Sequence, residues 1–435
     1  MSPQALDLVI IGNGAAAAEA ALAARAAGYR GELDLFADNP HPPYNPMLGP
    51  YYVSGAIPLR HCFPFGGLEF YDRSRIRVHL DEKVVRLAPS EKRLTTDGGA
   101  EYAYGTCLVA SGAQTAFPPI PGLDSPGVYG LRSCDDAVRL KEAVALATAR
   151  ATREGSRPRA LVLGASFAGL KVADALHLAG MDVCIVEKEP SVLPLSVHPD
   201  CGPLIEHHVR EQGHELRLGV TIDTIEVEDG RLVARLGDAV SRDGAGDASA
   251  PSVGQADLLV VCTGARANLA FLAGSEVDAE AGLIVDEHLM TSVPGLYAAG
   301  DVAQAIDPLS GSHQVVALWA NARRQGRTAG RNLAGLHAED PGCVSCNIQK
   351  VGDLLFASAG SMQEYDRLDV RPESGGLTAW AYRDGRLAGF NLLGDASPAG
   401  PLACALARGR SVNMAEAASA AGWARRIAWM SSNAG

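Results

Sequence analysis

The chain has 435 residues, enough for two or three domains with their own cores. Apolar residues make up 47% and charged residues 20%, an ordinary globular composition. The formal net charge of -12 argues against nucleic acid or an anionic membrane as the main partner. The nine cysteines are scattered without a disulfide framework, which fits a reducing cytoplasm. No apolar run approaches the ~20 residues of a membrane span. The first strand starts near Leu8, so no signal peptide is expected, and a cytoplasmic enzyme is the default.

In chain order, Leu8-Val9-Ile10-Ile11 enters the turn Gly12-Asn13-Gly14, followed by an alanine-rich helix to Ala27 that Gly28 closes. Leu33-Asp34-Leu35-Phe36 reads as a second strand. This is the strand–turn–helix setting of a dinucleotide pyrophosphate. One Gly makes the tight turn, a small residue lets backbone approach the phosphates, and a third, here Ala17, packs helix on strand. The helix N-terminus adds free N–H groups and partial positive charge. The segment from Asn39 to Pro58 is crowded with Pro, Gly and Tyr and reads as irregular. Short strands are expected around Val78–Leu80 and Val84–Leu87, then a buried strand ending in Ala110-Ser111-Gly112.

Pro118–Gly122 looks like a domain exit, and a long helix is expected from Cys134 to about Arg150. Ala160-Leu161-Val162-Leu163 then enters a second glycine turn, Gly164-Ala165-Ser166-Phe167-Ala168-Gly169. Two such turns suggest two dinucleotides, and two dinucleotides suggest electron transfer between them. Ser166 replaces the middle glycine, and its side chain limits how closely backbone approaches a pyrophosphate. Val183–Val186 is a strand ending at Glu187. An acid there hydrogen-bonds adenosine ribose hydroxyls and repels a 2′-phosphate, favouring NADH over NADPH, while the neighbouring Lys188 pulls the other way. In the first unit Asp38 is the corresponding acid. The region 237–255 reads as a surface loop. Strands ending at Thr263-Gly264 and at Ala299-Gly300-Asp301 follow, then strands and hairpins from about Asp340, and a last helix over roughly Met414–Ser431.

On these motifs, with Leu318-Trp319-Ala320-Asn321-Ala322-Arg323-Arg324-Gln325-Gly326, Leu393-Gly394-Asp395 and Gly400-Pro401-Leu402, the chain resembles the two-dinucleotide-binding-domain flavoproteins. Within them it is most similar to NADH-dependent rubredoxin and ferredoxin reductases and to the flavin part of NADH-dependent nitrite reductase. The resemblance implies an α/β fold with two Rossmann-like domains, the NAD domain inserted in a discontinuous FAD domain, and a C-terminal α+β interface domain. The implied boundaries are 1–118 and 256–338 for FAD, 119–255 for NAD(P) and 339–435 for the interface domain.

The resemblance implies FAD on the first turn, with contacts at Gly12, Gly14, Ala17, Asp38, Ala110, Ser111, Gly112, Gly300, Asp301 and His313. It implies NADH on the second, with contacts at Gly164, Ser166, Gly169, Glu187 and Gly264. Asp301 is expected to end a strand just before a helix start and to face the FAD ribityl chain. His313 is expected beside the flavin pyrimidine ring.

Related disulfide reductases carry cysteines in the segment after the first helix–strand unit. Here Met47 stands at that place, and a thioether forms neither a thiolate nor a mixed disulfide. Relatives also place a Lys or Arg in this segment, paired with a Glu after the second turn. Here no base lies between Asn39 and Leu59, and the Glu position holds Lys171. Lys171 is therefore a candidate source of positive charge at the flavin, against the plain alternative of a solvated helix lysine. Cys343-Val344-Ser345-Cys346 is half of a four-ligand zinc site at most and reads as structural, so no metal site is expected. His207 and His208 read as surface residues, and Trp319 as either buried or cofactor-facing.

The expected activity is hydride transfer from NADH to FAD, with electrons passing on to rubredoxin, ferredoxin or a small-molecule acceptor. The chain leaves room for a homodimer. A flavin oxidase or dehydrogenase of a small organic substrate, and a flavoprotein subunit of a larger redox complex, remain alternatives.

Overall fold

The computed structural model describes residues 4–237, 253–373 and 375–408. The helix expected over Met414–Ser431 and most of the loop 237–255 lie outside the described residues.

The first unit is built on the strand Gln4–Ile11, whose inner half is fully buried. It pairs in parallel with Leu33–Phe36 on one side and Glu101–Val109 on the other. Arg77–His79 extends one edge, and Arg93–Thr96 with Val84–Ala88 extends the other as antiparallel strands. The strand Leu296–Ala298 also joins this sheet, in parallel beside Glu101–Val109. The first unit is therefore closed by chain that returns from far downstream.

The buried side of its helix Ala15–Ala26 is all alanine apart from Glu19, and the reason is a second helix lying across it. Trp319–Leu333 crosses so closely that a Cβ at Gly326 would collide with the Ala16 carbonyl, and one at Gly330 with the Ala20 carbonyl. Gln325 Oε1 accepts from Gly300 N at 2.8 Å, and Arg323 and Arg327 pair with the buried Glu19. The motif 318–326 thus locks helix to helix.

The second unit is a five-stranded, all-parallel sheet. Its order is Glu215–Leu218, Asp182–Glu187, Arg159–Leu163, Leu258–Val261 and Val128–Tyr129. The boundary at 256 needs correction, because Leu258–Val261 completes this sheet. The chain leaves the first unit through Ala113–Thr115 and returns through Ala265–Ala267, and these segments pair as an antiparallel ribbon. The long helix runs Cys134–Glu154, started by a Ser133–Asp136 capping box and stopped by left-handed Gly155.

The C-terminal region is a five-stranded antiparallel sheet from Cys346 to Leu393 with the helix Ala399–Ala407 on one face. Its other face shares a core with the second unit: Phe356, Ala379 and Leu393 pack with Val162, Leu170 and Leu176. Among the described residues, no helix is long and apolar enough to cross a membrane.

Candidate functional site

One cleft of ≈ 2090 Å³ runs between the units and reaches the C-terminal sheet. It exceeds the ~300–1,000 Å³ of an ordinary small-molecule pocket. Gly12 turns with φ +112°, and a Cβ there would collide with the Ala110 carbonyl at the end of the neighbouring strand. Gly14, the helix N-cap, faces open space: a Cβ there would meet nothing within 4 Å, and no side chain caps the helix. The N–H groups at the start of Ala15–Ala26 therefore point into the cleft. Asn13, also on the cleft wall, is fixed in place, its Nδ2 donating to His41 O at 2.8 Å while Tyr71 OH donates to its Oδ1 at 2.9 Å.

Asp38, exposed beyond the end of Leu33–Phe36, lines the same cleft, as do Ala110, Ser111, Gly112 and Gly300. Ser111 is fixed by a reciprocal pair with Asn268, at 2.9 and 2.8 Å. Asp301 sits on the cleft wall paired with Arg132, whose Nε also donates to Ala113 O at 3.0 Å. Burial raises the Asp301 carboxyl above its ordinary value, and Arg132 pulls it back only in part. The expected helix start after Asp301 is absent, because the next element is the strand Ala303–Ile306.

Several expected contacts lie off the cleft. Ala17 is fully buried in the core of the first unit. His313 is exposed on a short edge strand, with Nε2 3.2 Å from Val285 O, and does not line the cleft. In its place Trp319, two residues after Ala317 on the same segment, reaches the wall.

The second turn is built differently. Gly164 has φ +107° and lies close to the Cys262 carbonyl, where a Cβ would sit at 2.7 Å. Ser166 is the N-cap: its Oγ accepts from Gly169 N at 3.2 Å and donates to Cys262 O at 2.8 Å. The serine thus occupies the middle position because it caps the helix and ties the turn to the next strand. Gly169 is required because a Cβ would collide with the Gly164 carbonyl. Gly164, Ser166, Gly169 and Gly264 do not line the cleft, which the helix Phe167–Leu178 reaches through Phe167, Ala168, Lys171 and Val172.

Glu187 also departs from expectation. It is buried at 8% exposure, Oε2 accepting from Ala165 N at 2.8 Å and Oε1 from Glu189 N at 3.0 Å. Both oxygens brace the backbone of the turn, and the exposed charge at this strand end is Lys188.

Lys171 lines the cleft with its Nζ 4.5 Å from the Tyr51 ring centroid. Lys141 reaches the adjacent Tyr52, Nζ lying 4.3 Å from the ring centroid and donating to Tyr52 O at 2.5 Å. Two lysines of the second unit thus bracket a tyrosine pair in the base-free segment of the first. Met47 is 61% exposed and lines the cleft beside Pro46 and Pro50. All nine cysteines are free thiols, and Cys134 is the cysteine on the cleft wall, its thiol pushed up to about 12 by burial. Cys343 and Cys346 are likewise raised by burial. Among the described residues, no group of three or more His, Cys, Asp and Glu is set to hold a metal.

Sequence reasoning missed Arg132 and the strand residues Asn347, Ile348 and Gln349, which line the cleft from the C-terminal sheet. Arg132 directly precedes the capping Ser133, which was its one available signal. The strand residues carry no local motif.

The family model for pyridine nucleotide-disulphide oxidoreductases matches residues 6–326. An NADH oxidase of Methanocaldococcus jannaschii is 29% identical over 359 residues, covering 81% of this chain and 75% of the relative. A rubredoxin-NAD(+) reductase of Ectopseudomonas oleovorans is 26% identical over 388 residues, covering 88% and 94%. Among solved structures, the ferredoxin reductase for the CYP199A2 system from Rhodopseudomonas palustris superposes with a TM-score of 0.82 at 25% identity, covering 96% of this chain and 98% of that one.

Proposed function

The chain belongs to the pyridine nucleotide-disulphide oxidoreductase family, and from that premise we propose that it is an FAD-dependent NADH reductase of an electron carrier. The observation that carries this reading is the single cleft walled by both glycine-turn helices, Ala15–Ala26 through Ala15 and Ala16, and Phe167–Leu178 through Phe167, Ala168, Lys171 and Val172.

The residues of the first unit fit FAD. The open N-terminus at Gly14 and Ala15 suits a pyrophosphate, and Asp38 suits the adenosine ribose hydroxyls. Asp301, Gly300 and the Ala110–Gly112 strand end suit the chain that carries the flavin ring. Arg132 pairs with the Asp301 carboxyl and offsets part of the burial that raises it. When bound, the flavin supplies acceptance of a hydride and release of electrons one at a time.

The protein's own contribution is distance, orientation and field. In the second unit the start of Phe167–Leu178, which reaches the cleft at Phe167 and Ala168, would hold the donor dinucleotide, and the capping Ser166 keeps that turn rigid. Lys171 brings positive charge to the cleft beside the segment 39–59, which has no base of its own, and Tyr51 holds it by its ring face. Met47 faces the cleft where a thiolate would stand in a disulfide reductase, so electrons leave without a sulfur relay.

The acceptor in this reading is a small iron protein of the rubredoxin or ferredoxin type, as the names of the relatives suggest. Anaerobic mixing of the yellow protein with NADH or NADPH in a stopped-flow instrument tests the reading. Rapid bleaching by NADH, slower bleaching by NADPH, and reoxidation by rubredoxin or ferredoxin are expected. Bleaching by a small organic substrate and by neither nucleotide would replace it with an oxidase.

A further inference from the structure

The wall of the cleft that faces the second glycine helix comes from outside both dinucleotide units. The strand Cys346–Val351 opens the C-terminal sheet, and Asn347, Ile348 and Gln349 reach the cleft from it. Gln349 stands opposite Phe356 in the antiparallel pairing, so the two side chains project from the same face of the sheet. Phe356 stacks on Phe167, ring centroids 5.4 Å apart and 16° from parallel. Phe167 is the first residue of the glycine helix, and Lys171 lies one turn further along the same face. Gln349, Phe167 and Lys171 therefore converge on one end of the cleft.

Gln349 Nε2 is buried there without a hydrogen-bond partner. A buried amide donor left unpaired destabilises the fold, so such a group is explained by an acceptor that arrives from outside the chain. A neutral amide donor suits an uncharged acceptor such as a carbonyl oxygen. The position says which one. A dinucleotide whose pyrophosphate rests on the second turn would enter the cleft along Phe167, Ala168, Lys171 and Val172, the residues by which that turn's helix lines it. The part of it that arrives beside Gln349 is the pyridine half, whose carboxamide carries such an oxygen.

We propose that Gln349 is a positioning residue for the nicotinamide, its Nε2 donating to the carboxamide oxygen, so that the C-terminal sheet completes the donor site. This rests on the reading of NADH as the electron donor. The carboxamide hydrogen bond fixes the rotation of the pyridine ring in its plane, which settles the orientation in which the ring meets the flavin.

The test is calorimetric titration of the oxidised, FAD-loaded protein with NAD+ and, separately, with ADP-ribose, which lacks the nicotinamide. In Gln349→Leu and Gln349→Glu the dissociation constant for NAD+ should rise about tenfold, the effect of one lost buried hydrogen bond. Affinity for ADP-ribose should stay as in the unaltered protein, which also shows that the variants are folded. Unchanged NAD+ binding in both variants would overturn the inference. So would parallel weakening of both ligands, which marks a merely structural glutamine. Unaltered protein that binds ADP-ribose but gains nothing from the nicotinamide half would overturn it as well. Failure of the unaltered protein to bind NAD+ at all would instead overturn the donor reading and this inference with it.

Discussion

The two glycine turns perform the same topological task with different materials. In the first, Gly14 leaves the helix start uncapped and open to the cleft. In the second, Ser166 closes the helix start with its own hydroxyl. The strand-end acids differ in the same sense: Asp38 is exposed on the cleft wall, and Glu187 is buried and spent on Ala165 and Glu189 N–H groups. The second strands differ too. Asp34 carries a fully buried carboxylate paired with Arg77 and His79, whereas Val183–Val186 is apolar throughout. The first turn leaves its helix start open for an outside partner, whereas the second satisfies its helix start from within the chain.

The largest expected effect comes from filling the first turn. In Gly12→Val the side chain meets the Ala110 carbonyl at a left-handed φ that a β-branched residue resists. The purified protein should be colourless and should not take up FAD, as absorbance of the flavin band will show. Normal flavin content would break the contrast between the turns.

Next is the ionic tie. Burial opposes ionisation of Asp34, but hydrogen bonds from His79 and Arg77 outweigh it and hold the carboxyl below its ordinary 3.8. A depressed folded value stabilises the protein above 3.8, and that stability is lost as pH falls through the folded value. Asp34→Asn should therefore cost roughly 3 kcal/mol at pH 7. The gap to the unaltered protein should narrow below pH 3.8, as urea melts across that range will show. A gap independent of pH would assign the effect to packing.

Lys171→Met sharpens the comparison from the cleft side. It should slow flavin reduction by NADH about tenfold, equivalent to ~1.4 kcal/mol in the barrier, and leave flavin content unchanged. Unchanged kinetics would return Lys171 to the role of a surface lysine on Tyr51. The smallest effect is expected from Ser166→Ala, which removes a cap worth ~1 kcal/mol and should lower thermal stability without releasing flavin.

Both glycine turns were legible because tight turns and close helix packing admit few residues. Gly12, Gly164 and Gly169 each stand where a Cβ would meet backbone within 3 Å. The meaning of Trp319–Gly326 was harder to read. Its residues resembled a cofactor segment, yet Gly326, Gln325 and Arg323 act mainly in packing against the first helix. The pairing of Leu296–Ala298 with Glu101–Val109, and of Leu258–Val261 with the second sheet, depends on contacts between distant segments that local pattern does not encode. For Glu187 the pattern indicated the position at the strand end, while its burial and its hydrogen bonds to Ala165 and Glu189 N–H groups come from the packing around it. Gln349 was invisible because an amide on a strand acquires meaning only when the cleft closes around it.

The most direct measurement is an anaerobic reductive titration of the holoenzyme, counting electron equivalents taken up per bound flavin. A site with Met47 at its face and no sulfur relay takes up about two equivalents per FAD, with the flavin band bleaching from the first addition. Uptake of about four, with a lag before bleaching, would reveal a redox-active disulfide and contradict the account.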